Sequence, residues 1–206
     1  GISISNVQMS TADGRSLFNI DSFNADKNGL ILVRGENGCG KTTLLNVLSG
    51  IFDSTHMKLE ENSHISVAKE LCEDMAYLFY PDFLVKGTVK ENVLCGRNIP
   101  EDNYRLMETI LELPNAEKEV VLRPENLSLG EKQKIYLSRI LVENKKCILL
   151  DEPGSNLDEK TEESLIQYLG QLKNDSLIIV ISHNSKYDRI ADKIYNINNG
   201  SMLLTK

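Results

Sequence analysis

The sequence predicts an α/β domain built on a largely parallel sheet with helices on both faces. Three observations carry this. Leu30-Ile31-Leu32-Val33, Cys147-Ile148-Leu149-Leu150 and Leu177-Ile178-Ile179-Val180-Ile181 are short unbroken apolar runs, the mark of strands buried on both faces. Apolar residues at helical spacing follow such runs, as at Leu44, Leu45, Val47 and Leu48. Strand and helix in alternation mean a parallel sheet covered on both sides.

The elements follow in order. Ile2, Ile4, Val7 and Met9 alternate and read as a strand, and Leu17, Phe18, Ile20 and Phe23 suggest a less regular second one. Asp26-Lys27-Asn28-Gly29 is a turn before the first buried run. A glycine-rich segment leads into the helix of Leu44 to Leu48, which Gly50 is placed to end. Ile65-Ser66-Val67 and Ala76-Tyr77-Leu78-Phe79 read as strands. From about residue 82 to 142 the character is helical and looks like an insertion. Thr88 is placed to cap a helix through Leu94, and Ile99-Pro100 breaks the chain before Tyr104 to Leu111. Ser128 with Glu131 forms a capping-box signature for a helix carrying Ile135, Leu137, Ile140 and Leu141. A helix is expected at Glu159 to Leu172 and a short one at Lys186 to Ala191. Asn198-Asn199-Gly200 turns a strand at Ile194 to Ile197 into a final one at Met202 to Leu204.

Composition narrows the function classes. The chain has 206 residues, 41% hydrophobic and 26% charged, with net charge −7 and no Trp. That suits one compact domain. An acidic chain with few aromatics argues against nucleic-acid binding, where a basic stripe is expected. No stretch approaches a membrane span or a signal peptide, so the expected setting is cytosolic, without direct membrane insertion. The chain opens on Gly1, which fits an expression-tag remnant or a domain cut from a longer polypeptide. Cys39, Cys72, Cys95 and Cys147 form no CxxC pair and read as free thiols in a reducing compartment.

Three groups of residues carry chemistry. Gly35-Glu36-Asn37-Gly38-Cys39-Gly40-Lys41-Thr42 fits GxxxxGK[ST], the phosphate-binding P-loop. Small glycines let backbone N–H groups close around phosphate oxygens, and the helix beginning near Lys41 adds its positive end. Lys41 would reach the β- and γ-phosphates of ATP, and the Thr42 hydroxyl can ligate Mg²⁺. Asp151-Glu152 ends an apolar strand, where a parallel sheet presents residues to a ligand crevice. Asp151 would hold Mg²⁺ and Glu152 would act as the base positioning the attacking water. His183 closes the next apolar strand and could reach the γ-phosphate from the same rim. His56 and His64 have no such company.

Leu127-Ser128-Leu129-Gly130-Glu131-Lys132-Gln133 resembles the LSGGQ signature of the ABC ATPase superfamily. Ser155-Asn156-Leu157-Asp158 resembles that family's D-loop, and His183 its switch histidine. The resemblance covers about residues 1 to 204 with all motifs in order. It implies a P-loop NTPase with a RecA-like parallel-sheet core, an N-terminal antiparallel β subdomain and an inserted helical subdomain. These would divide a single domain of residues 1–206 into 1–81 with 143–206, and 82–142. It also implies that Gly35, Asn37, Gly38, Gly40, Lys41, Thr42 and Thr43 hold the nucleotide, with Mg²⁺ at Thr42 and Asp151. Ser128, Gly130 and Glu131 would act on the ATP of a second ABC ATPase domain, paired head to tail, and Asp158 would belong to the D-loop. Gly87-Thr88-Val89-Lys90-Glu91-Asn92-Val93 and Asp158-Glu159-Lys160-Thr161-Glu162 resemble exporter versions of the family. The implied partner is a transmembrane domain, fused or separate, at the cytoplasmic face of the plasma membrane.

Three departures stand out. Tyr80 occupies the usual Gln position, Thr11 the position of an adenine-stacking aromatic, and Leu129 and Glu131 replace Gly and Gln in the signature. They bear on nucleotide preference and turnover, not on the fold. Two other functions compete with a transport motor. A non-transport ABC ATPase of the DNA-repair kind separates its halves by long coiled coils, and one of the translation-factor kind carries two ATPase domains. This chain has neither pattern. A nucleotide-binding regulatory module with weak hydrolysis is favoured by the missing Gln and aromatic, and opposed by Glu152 and His183.

Overall fold

The computed structural model describes residues 1–51, 56–78, 83–123 and 125–206. The first half holds β1 (Ile2–Ser10), β2 (Ser16–Ala25), β3 (Gly29–Gly35), α1 (Lys41–Leu48), β4 (Met57–Val67), α2 (Lys69–Glu73) and β5 (Met75–Leu78). Then come β6 (Gly87–Thr88), α3 (Val89–Leu94), α4 (Glu101–Leu111), β7 (Glu119–Val120) and α5 (Leu129–Leu141). The chain continues through β8 (Cys147–Asp151), α6 (Glu159–Leu172), β9 (Leu177–Ile181), a 3-10 turn (Ser185–Arg189), β10 (Lys193–Asn198) and β11 (Ser201–Leu204).

Among the described residues nine strands form one sheet in the order β4-β1-β2-β11-β10-β3-β9-β8-β5. From β10 to β5 every neighbouring pair is parallel. The N-terminal strands pair antiparallel and join this core through β11, which runs parallel to β2 at Ser201↔Asn19 and Met202↔Ile20. The antiparallel layer expected from the N-terminal alternation is therefore hydrogen-bonded to the parallel core as one continuous sheet.

The unbroken apolar runs do what their pattern requires. Ile31 and Val33 face one core with Cys147, Leu149, Ile179 and α1. Leu30 and Leu32 face the other with Ile148, Leu150, Val180 and residues of α4, α5 and α6. Each fully buried Leu or Ile contributes about 1.5–3 kcal/mol. The helices between β6 and β8 add a small core of their own from Val89, Val93, Tyr104, Val120, Leu127 and Ile135.

Some elements differ from the sequence reading. β4 is longer than Ile65–Val67. It is the edge strand beyond β1, and its exposed Lys58, Glu60 and Glu61 hide any apolar period. Its register shifts between Ser5 and Val7, where Asn6 takes a left-handed φ of 54°, as in a β-bulge. The segment at Lys186 is a 3-10 turn and not an α-helix. α2 had no expected counterpart.

The stretch from Gly87 to Asn92 is held by local hydrogen bonds. Thr88 caps α3, accepting from the Glu91 N–H while the Glu91 carboxylate accepts from the Thr88 N–H. Asn92 is fully buried. Its amide donates to the carbonyls of Val85 (2.9 Å) and Thr88 (3.0 Å), and its Oδ1 accepts from the Val85 N–H.

Candidate functional site

α1 opens directly behind the glycine-rich loop, and its start differs from those of α3, α5 and α6. Gly40 is the N-cap at φ 105°, and no side chain caps the helix. Thr88, Ser128 and Asp158 cap α3, α5 and α6 with side-chain oxygens. The first turn of α1 also carries no acidic residue. Its first N–H groups thus lack a side-chain acceptor, and the positive end of the helix is unopposed, the conditions for binding an anion. A Cβ on Gly40 would come within 2.9 Å of Leu17 and 3.0 Å of Phe18, so the loop seats directly on β2.

A cleft of 360 Å³ is lined by Asn37, Gly38, Gly40, Lys41, Thr42, Thr43, Asp151 and Glu152 together with Thr11, Arg15 and Leu17. The Lys41 ammonium is buried and donates to the carbonyls of Gly35 (2.7 Å) and Glu36 (2.9 Å). Gly35 is not among the lining residues; its carbonyl anchors the lysine. Thr42 Oγ1 donates to Asp151 Oδ2 at 2.6 Å. Tyr77 stands behind this pair and hydrogen-bonds Asn46 at 2.8 Å. Burial first, then the Asp151 charge, pushes its phenol up.

The two carboxylates end β8, and the histidine follows β9, which is its neighbour in the sheet. Glu152 leaves the strand at a left-handed φ of 45°, with its N–H on the Ile181 carbonyl at 2.9 Å. A non-glycine residue held there costs about 1–3 kcal/mol, and such residues cluster at functional sites. Glu152 Oε1 is shielded from water, with no hydrogen-bond partner among the described residues, and lies 3.5 Å from His183 Nε2. Lys41 and Thr42 of the glycine-rich loop, Asp151 and Glu152, and His183 beside Glu152 are thus brought to one place.

Ser128, Gly130 and Glu131 are not among the residues lining this cleft. They open α5 as a capping box: Ser128 Oγ accepts from the Glu131 N–H (3.1 Å) and Glu131 Oε2 from the Ser128 N–H (2.8 Å). Lys118 at 2.8 Å is the main cause holding the Glu131 carboxyl below its usual range. A Cβ on Gly130 would lie 2.8 Å from the Asn156 carbonyl oxygen, so the start of α5 packs against the turn at Asn156. Gln133 adds a donor to the Pro153 carbonyl at 3.1 Å. Asp158 is the N-cap of α6, accepting from the Thr161 N–H (2.9 Å) and hydroxyl (2.7 Å). These bonds, with Lys134 at 3.3 Å, hold its carboxyl well below the ordinary value. Tyr80 lies outside the described residues.

A sequence model described as ABC transporter matches residues 18–155, well over half of the chain. The chain belongs to the ABC transporter family. An ABC transporter ATP-binding/permease protein of Haemophilus influenzae is 30% identical over 98% of this chain and 38% of its own length. The lipoprotein-releasing system ATP-binding protein LolD of Francisella tularensis is 30% identical over 84% of this chain and 82% of its own. The phosphonates import ATP-binding protein PhnC of Fusobacterium nucleatum is 30% identical over 100% and 92%. The chain spans well under half the length of the first of these relatives. ABC ATP-binding domains are ATPases, and this one is an ATPase.

Within this ABC transporter domain, sequence reasoning passed over Gly154 and Asn184 and saw Glu162 only as part of a resemblance. Pro153-Gly154 after the acid pair was the available signal. No helix among the described residues is long and apolar enough to cross a membrane.

Proposed function

We propose that the cleft holds ATP with its phosphates on the P-loop, and that the chain drives an exporter as one of a pair of such domains on a transmembrane partner. The observation that carries the nucleotide assignment is the open start of α1 beside Lys41 and the Thr42–Asp151 pair. In this reading Asn37, Gly38, Gly40 and Thr43 line the phosphate path, and Lys41 leaves the Gly35 and Glu36 carbonyls for the β- and γ-phosphates. Thr42 and Asp151 present two hard oxygens, the donors Mg²⁺ takes when water and phosphate complete its shell. The ion, when bound, neutralises charge on the transferred phosphoryl group. The Glu152 carboxylate accepts a proton from the attacking water, and His183 faces the γ-phosphate.

Pairing is supported by the cleft's lining, which includes nothing from Ser128 to Glu131. A partner's α5 would bring a helix N-terminus to the open side, and Ser128 still has its O–H to donate. The Glu131 carboxylate adds a negative charge there, offset by Lys118, which argues for slow turnover. Mixing tests the pairing. Ser128→Arg blocks the trans contact by bulk and Lys41→Ala removes the phosphate-binding cation, so each alone is inactive at ATP concentrations below the weakened affinity of Lys41→Ala. Mixed, they restore one face with an intact P-loop and an intact signature, and activity returns. Specific activity independent of protein concentration, together with normal hydrolysis by Ser128→Arg, would sink the pairing.

The exporter direction is supported by the Gly87–Val93 and Asp158–Glu162 stretches and, for the transmembrane partner, by the ATP-binding/permease relative. An exporter takes cargo from the side on which ATP is hydrolysed. Cargo that stimulates hydrolysis only from the opposite side of the membrane would mark an importer.

The base of the nucleotide meets Thr11, Arg15 and Leu17 in this reading, without an aromatic ring among the described residues that line the cleft. Phe18 is unavailable, at 1% exposed. Thr11 spends its hydroxyl on Asp13 and on the Arg15 N–H. Stacking is worth ~1–3 kcal/mol per base in other sites. ATP and GTP affinities are therefore expected within about tenfold, or ~1.4 kcal/mol, in parallel titrations. A stronger ATP preference would place the base elsewhere.

A further inference from the structure

One buried carboxylate beside the Glu152–His183 pair has no part in the chemistry described so far. Glu162 lies in the first turn of α6 and is 9% exposed. Burying an ionised carboxylate is costly unless it is paired and hydrogen-bonded. Both its oxygens accept from Asn184 Nδ2, at 2.8 and 3.0 Å, and Lys186 Nζ lies 3.6 Å away. Asn184 directly follows His183 and is itself held firmly. Its N–H donates to Ser182 Oγ (3.1 Å), and its Oδ1 accepts from the Lys186 N–H (2.9 Å).

The same carboxylate rests on the other loop. A Cβ on Gly154 would come 2.2 Å from Glu162 Oε1 and 3.1 Å from its Cγ. Gly154 belongs to the turn closed by the Ser155 N–H on the Glu152 carbonyl at 3.2 Å. One side chain on α6 thus touches the loop leaving Glu152 and grips the loop carrying His183. Glu162 is not among the residues lining the cleft, so it acts through these loops and not on a nucleotide.

We propose that Glu162 is a positioning residue for hydrolysis: through Asn184 and Gly154 it fixes the His183 loop against the Glu152 loop and sets their 3.5 Å approach. This rests on the reading of Glu152 as the base and His183 as the group facing the γ-phosphate. Losing the grip lets that spacing drift while the P-loop, α1 and Lys41 stay in place. Hydrolysis therefore falls and nucleotide binding does not.

The test compares Glu162→Ala, Glu162→Gln, Asn184→Ala and the Glu162→Ala/Asn184→Ala double variant, with Glu152→Gln alongside. Rates are counted per molecule that binds a non-hydrolysable ATP analogue, which removes any misfolded fraction. Glu162→Ala and Asn184→Ala are each expected to lower kcat about tenfold or more with KM within about twofold, a loss confined to the transition state. The double variant should fall no more than about threefold below the worse single one, since both break one link. Glu162→Gln keeps an acceptor oxygen for Asn184 and should recover at least about a third of the rate, a loss under ~1 kcal/mol. Normal turnover by Glu162→Ala, or losses that multiply in the double variant, overturns the proposal. Should Glu162→Ala fail to fold, Asn184→Ala decides alone, and a normal rate there overturns it. Normal turnover by Glu152→Gln overturns the underlying reading instead. An inactive Glu152→Gln beside a normal Glu162→Ala removes only this inference.

Discussion

Glu152→Gln is expected to lower ATP hydrolysis by about 10²–10⁴-fold, the range for losing a general base, while ATP binds as before. The substitution isolates one property. Gln matches Glu in size and keeps the side chain on the left-handed backbone at φ 45°, so it adds no new strain. What it removes is an oxygen able to take a proton. One carboxylate oxygen, Oε1, is shielded from water, without a hydrogen-bond partner among the described residues, and 3.5 Å from His183. Nothing in the binding half of the cleft depends on it, because Lys41 and Thr42 have their own partners in the loop and in Asp151. The measurement is a single-turnover rate beside an ATP titration. Hydrolysis at the normal rate would move the base to another residue. In the paired reading this variant should also accumulate as an ATP-bound dimer, visible by light scattering.

Lys41→Ala is expected to weaken ATP binding by at least about tenfold and up to about 100-fold, since a hydrogen bond to a charged group is worth ~1.5–3 kcal/mol. Lys41 rests 2.7 and 2.9 Å from two P-loop carbonyls, so the ammonium waits where phosphate is expected to arrive. Removing it takes away the buried cation and leaves those carbonyls without their donor. The loss should be greater for ATP than for AMP, because the missing charge faces the outer phosphates. Calorimetric titration of both nucleotides checks this. An unchanged ATP affinity would break the P-loop assignment.

Much of this was legible in the sequence, for physical reasons that vary by element. β3, β8 and β9 are buried on both faces, and that environment forces unbroken apolar runs. The Ser128–Glu131 capping box was legible because it is a local hydrogen-bond pattern and is present in the structure. β4 was underread because an edge strand beyond β1 has little to bury. The 3-10 turn at Ser185–Arg189 was taken for a helix because its residues have ordinary helical propensity, while the Asn184 cap and tight hydrogen bonding decide its form. Phe18, an aromatic next to the phosphate loop, is core beneath Gly40. Asp158, at a helix start, also signals an N-cap, and its carboxylate caps α6. The Glu162–Asn184–Gly154 contact joins three separate segments, and no periodicity in the sequence connects them.

The junction of β11 with β2 has a consequence for how the chain is made. β1, β2 and β4 leave the ribosome early and can pair with one another, yet the strands joining them to the parallel core come from the far end of the chain. Until β10 and β11 arrive, Phe23 lacks the Tyr195 ring that packs on it at 4.9 Å, and the Asn24 N–H lacks the Tyr195 hydroxyl at 3.0 Å. Pairing across such a span must first meet the cost of closing a long loop, and non-local strand pairing is slow. The seat of the phosphate loop on Leu17 and Phe18 therefore stays unbraced through most of synthesis. A nascent chain stalled before residue 193 would display Phe18, Ile20 and Phe23 as a sticky apolar face, the kind of surface that chaperones hold.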